Sequence, residues 1–85
     1  MDKNISKQEL KEFAETIYAL TGSKRDTIMI VLWVDKKMSR FKKMKEFIEE
    51  NPQATLADLN YQTALIHIEE QNKQKLERDE RNNNG

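Results

Sequence analysis

Eighty-five residues, of which 36% are apolar, support one domain with one modest core, near the size at which folding alone becomes marginal and partners are expected. Two glycines, one proline and 35% charged residues argue for helices, because an all-β domain of this size needs many more turn residues. With no cysteine, a disulfide framework, a thiolate metal site and a cysteine nucleophile are excluded, and the formal net charge is zero.

The opening stretch MDKNISKQEL lacks the basic region and apolar run of an export signal. The densest apolar run, Ile28 to Val34, is far shorter than the roughly twenty residues of a membrane span. A soluble, cytoplasmic protein with no membrane contact is the expectation.

The first helix is predicted from about Ser6 to Leu20. Leu10, Phe13, Ala14, Ile17 and Tyr18 recur at three- and four-residue spacing, while Lys11, Glu12 and Glu15 fall on the other side. Ser6 and Glu9 form a capping box, and Gly22 is placed to end the helix in the left-handed conformation. Ser23 restarts the chain, with Asp26 three residues on, against the positive end of the next helix dipole.

From there neither glycine nor proline interrupts the pattern until Pro52. Val31, Val34, Met38, Phe41 and Ile48 keep helical spacing, which predicts one long helix from about Lys24 to Glu50. Asn51-Pro52 stops it, since the residue before a proline is pushed out of the helical region. Thr55 with Asp58 opens a third helix whose apolar positions are Leu56, Leu59, Ala64, Leu65 and Ile68. After Glu70 only Leu76 is apolar. The expected organisation is a single helical domain over residues 1–72, followed by a polar helix end or disordered tail over 73–85.

The expected fold is therefore all-α: a three-helix chain with a long central helix, more than half helical and without a sheet. The β-branched run DTIMIVLWV is a poor strand candidate, because no second strand is visible to satisfy its backbone groups. One strain remains. In an antiparallel hairpin around residues 51–54, residues 28–34 face roughly 71–77, where Leu76 is the lone apolar partner. A first helix of roughly 22 Å covers about half of a central helix of roughly 40 Å. Either the central helix breaks between Asp35 and Ser39 and a compact four-helix bundle closes, or a second copy or another protein supplies the cover.

The stretch KKMSRFKKMK, residues 36–45, carries six basic side chains in ten positions. Charge runs in blocks: −1 over residues 1–22, +6 over 23–45, −6 over 46–70 and +1 over 71–85. The hairpin sets Lys36 and Lys37 across from Glu69 and Glu70 as weak surface pairs, and charge reversal at Lys36, Arg40 and Lys43 together is expected to change stability little. A competing reading puts Lys36, Lys37, Arg40 and Lys43 on a nucleic-acid backbone, since Lys36, Arg40 and Lys43 share a helix face. No helix-turn-helix spacing accompanies them.

His67, the lone histidine, has Glu70 three residues on, which is short of the three or four ligands a metal site takes, and nothing in the sequence ties a nucleophile to it. The two glycines, Gly22 and Gly85, do not make a phosphate-binding loop. No catalytic residue, cofactor, metal or small-molecule substrate is expected. The leading expectation is a small protein-interaction module, an adaptor, regulator or inhibitor, that self-associates as a homodimer through Met38, Phe41, Met44, Phe47 and Ile48 or binds another protein. The runner-up is a nucleic-acid-binding accessory protein. The Lys-, Asn- and Ile-rich composition suits an accessory gene of a phage or mobile element.

Overall fold

A computed structural model describes the backbone of residues 5–84 and the side chains of residues 5–75. Four helices follow one another: α1 (Lys7–Thr21), α2 (Lys24–Asp35), α3 (Met38–Glu50) and α4 (Leu56–Asn84), and the described residues hold no strand.

The helix ends follow the local chemistry of the sequence. Ser6 caps α1 by accepting from the Glu9 N–H at 3.1 Å while its own N–H donates to the Glu9 carboxylate at 3.3 Å. Gly22 closes α1 at φ 68°, donating to the Tyr18 carbonyl at 2.7 Å. Ser23 starts α2 by accepting from the Asp26 N–H at 3.2 Å. Thr55 and Asp58 exchange the two bonds of a capping box at the start of α4, at 3.0 and 3.2 Å. Because a β-carbon at residue 22 would meet open space, only backbone strain opposes Gly22→Ala. We expect that variant to lose about 1 kcal/mol in urea denaturation; an unchanged midpoint would mean that the left-handed cap contributes nothing.

The long central helix is not what forms. The chain bends at Lys36 and Lys37, inside the interval Asp35–Ser39, and gives two helices where one continuous helix was expected. Lys37 alone carries the bend, with φ −145° and ψ 127° between residues of helical geometry, and its side chain makes no capping bond. The cause is tertiary. A straight helix would leave Ile30 and Val34 at one end and Met44 and Ile48 at the other, too far apart for one short neighbour. Folded back, they join a single core with Phe13, Ile17, Phe41, Ala54, Leu59 and Ile66. Burying several such side chains, about 1.5–3 kcal/mol each, outweighs the helical bonds lost at one joint.

Adjacent helices pack in chain order: α1 on α2, α2 on α3, and α3 on α4. Phe13 of α1 also meets Phe41 of α3 edge-to-face, with ring centroids 5.4 Å apart. Ile17, Val34, Met44, Leu59 and Ile66 are the most completely buried side chains, so every helix contributes to the centre. The 29 residues of α4, about 43 Å long, exceed every other helix and set the long dimension of a 50 × 29 × 23 Å molecule. Its helical backbone runs through the segment expected to fray; Gly85 and the Leu76 side chain lie outside the described residues.

Candidate functional site

The joint between α2 and α3 is organised by one residue of the basic stretch, Arg40. Placed one turn into α3, it points inward, and its side chain is only 11% exposed. Its Nε and Nη2 donate to the two carboxylate oxygens of Glu70 on α4, both at 2.9 Å, and its Nη1 donates to the Trp33 carbonyl at 3.0 Å. The guanidinium carbon also lies 4.6 Å from the centre of the Trp33 ring. The last carbonyls of a helix lack full intrahelical partners; the Trp33 carbonyl accepts only a long bond from the Lys36 N–H, at 3.4 Å, and here a cation from the next helix adds a shorter one and complements the negative end of the dipole. Arg40 thus closes α2, stacks on it, and ties both halves of the broken helix to α4.

The hydrogen bonds from Arg40 hold the Glu70 carboxyl below its usual range, aided by the charges of Arg40, Lys37 and His67, while burial works in the opposite direction. Lys37 reaches the same carboxylate at 3.9 Å, and Lys43 pairs with Glu69 at 3.2 Å between well-exposed side chains. The basic block meets the acidic block, with Lys37 opposite Glu70 as expected; the shorter pairs, Arg40–Glu70 and Lys43–Glu69, fall about one helical turn further along α3, and the Arg40–Glu70 pair is part-buried rather than superficial.

These positions alter both sets of residues singled out in the sequence. Phe41, Met44 and Ile48 are buried in the chain's own core, and Met38 and Phe47 pack partly buried against it. The surplus of apolar circumference that pointed to a second copy at these five residues came from the continuous helix, and the bend removes it. Of the residues offered for nucleic acid, Lys36, Lys37 and Lys43 remain exposed. Arg40 is committed to Glu70 and Trp33, so the three-residue basic face loses its middle member.

Apolar surface is left open elsewhere. Of the seven large apolar side chains exposed among the described residues, six lie on two helices: Ile28, Met29 and Leu32 on α2, and Tyr61, Leu65 and Ile68 on α4. On α2 they form one arc opposite the buried Thr27, Ile30 and Val34, and each is 57–59% exposed. On α4 they form a stripe opposite the buried Leu59 and Ile66. A shallow groove joins the two helices, with Met29 and Trp33 on one wall and Asn60, Ala64 and His67 on the other. The bend explains this placement. It turns α2 back so that it lies beside residues 60–67 of α4, rather than beside the polar 71–77 that a straight helix would have faced.

The excess apolar character of Ile28 to Val34 was visible in the sequence, as was the demand for cover on more than one side. The stripe on α4 could have been found from its spacing, since Tyr61, Leu65 and Ile68 follow a four-then-three pattern distinct from the one carrying Leu59 and Ile66. His67 lies in the groove wall, and among the described residues no three or more potential ligands gather in a metal-binding group. No helix of the described residues is long and apolar enough to cross a membrane. Comparison with protein-family models, curated proteins and solved structures finds no match to this chain.

Proposed function

We propose that the chain is a protein-interaction module whose contact surface is the α2–α4 face. One observation carries the reading: six of the seven large apolar side chains exposed among the described residues sit on these two neighbouring helices, and Met29, one of the six, lines the groove between them. Scattered apolar residues on a surface need no explanation, whereas their concentration on two neighbouring helices marks a place where another surface docks. Interface centres are depleted of charge and enriched in aromatic residues and methionine, and Met29, Trp33 and Tyr61 supply that chemistry here. The α3–α4 edge carries charge instead: Lys43 and Glu69 pair there.

A photo-crosslinking amino acid placed in turn at Leu32, Leu65, Glu12 and Lys43 tests this in the source cell. Covalent adducts with protein at Leu32 and Leu65, and none at Glu12, are expected. Equal labelling at all four positions, or adducts with nucleic acid concentrated at Lys43, would overturn it.

A further inference from the structure

The α4 stripe has the spacing of a helix-pairing seam, and its chemistry names the occupant. Asp58, Tyr61, Leu65, Ile68, Asn72 and Lys75 succeed one another at alternating intervals of three and four, the repeat that keeps one line of side chains facing a partner helix. All six are exposed, and the opposite side of α4 is the one that joins the core. We propose that two copies of the chain pair along this seam with their α4 helices antiparallel, the Leu65 of each packing on the partner's Ile68.

Charge complementarity selects both the copy and the direction. With Leu65 on the partner's Ile68, the same register sets Tyr61 on the partner's Asn72 and Asp58 opposite the partner's Lys75. Two-fold symmetry repeats each pair, so two apolar layers at the centre are closed by a carboxylate–ammonium pair at either end. A parallel arrangement would oppose Asp58 to Asp58 and Lys75 to Lys75, which is repulsive at both ends. Beside the seam, Gln62 neighbours the partner's Glu69 and Ala64 neighbours the partner's Gln71, so no like charges meet there either. The groove sets Met29 of α2 beside Ala64, on the flank of the paired helices, where it adds apolar area. A few layers plus that flank fall at the lower end of interface sizes, which corresponds to a dimer of micromolar affinity.

The proposal rests on the α2–α4 face being a contact surface and specifies its partner. Sedimentation of the purified chain from about 1 to about 300 μM should show monomer passing to dimer. Leu65→Lys places a charge in both central layers and should weaken the dimer about a hundredfold or more, with helix content retained because residue 65 lies outside the core. Because the chain has no cysteine, direction is read by Tyr61→Cys and Asn72→Cys chains under oxidation. The equimolar mixture should form the cross-linked dimer, and neither variant alone should do so. A monomer throughout the concentration range overturns the proposal, even where photo-crosslinks at Leu32 and Leu65 to another protein uphold the contact surface. Cross-linking of each variant with itself overturns the antiparallel seam.

Discussion

Phe41→Ala is expected to remove about 3–5 kcal/mol of stability, enough to leave much of an 85-residue chain unfolded at room temperature. Phe41 is 4% exposed and sits where three helices meet. Its ring makes the edge-to-face contact with Phe13 of α1, belongs to the core that holds Ile30 and Val34 of α2, and has the Lys45 ammonium 5.8 Å from its centroid. Truncation loses the transfer energy of the ring, the aromatic pair and the packing around the cavity that remains. Urea denaturation followed by circular dichroism checks it. A loss below about 1 kcal/mol would mean that the α1–α3 contact is not part of the stable core.

The second large effect concerns the joint. Arg40→Met should cost about 3 kcal/mol, the lower part of the range for breaking a buried pair, because the Arg40 and Glu70 side chains keep 11% and 15% exposure. The variant leaves Glu70 without its bidentate partner and the Trp33 carbonyl with only the long 3.4 Å bond from the Lys36 N–H. Adding Glu70→Leu to Arg40→Met should recover a substantial part, since removing both charges abolishes the uncompensated carboxylate. Lys43→Met, which unpairs Glu69 at the surface, should leave stability nearly unchanged. If Arg40→Met behaves like Lys43→Met, Arg40 does not fasten the bend.

The same pair predicts a dependence on pH. Glu70 titrates lower in the folded chain than its ordinary value of about 4.5, so its contribution is complete above that value and disappears as the pH falls through the lower folded one. The stability difference between the unmodified protein and Glu70→Gln should therefore be constant near neutrality and shrink below about pH 4.5. A difference that grows on acidification would reverse the assigned direction.

The sequence by itself determined the helical class and most of the helix ends. Ser6 with Glu9, Gly22, Ser23, Asn51-Pro52 and Thr55 with Asp58 act through bonds and torsion limits that span four residues or fewer, so they read the same in any tertiary setting. It also determined that a basic block and an acidic block lie across from each other, since two helices joined by a short turn leave little choice. A break between Asp35 and Ser39 was one of two alternatives the sequence left open, and the tertiary structure decided for it, with the bend at Lys37. That residue has no local preference to bend, and the gain comes from bringing Ile30 and Val34 onto the same core as Phe41, Met44 and Ile48. The bend in turn draws Arg40 from the surface to the C-terminal end of α2, buries Phe41, Met44 and Ile48 with Met38 and Phe47 partly buried against them, and leaves the exposed apolar side chains on α2 and α4. Each of these outcomes depends on contacts between residues far apart in the chain, whose energies no window of local sequence contains.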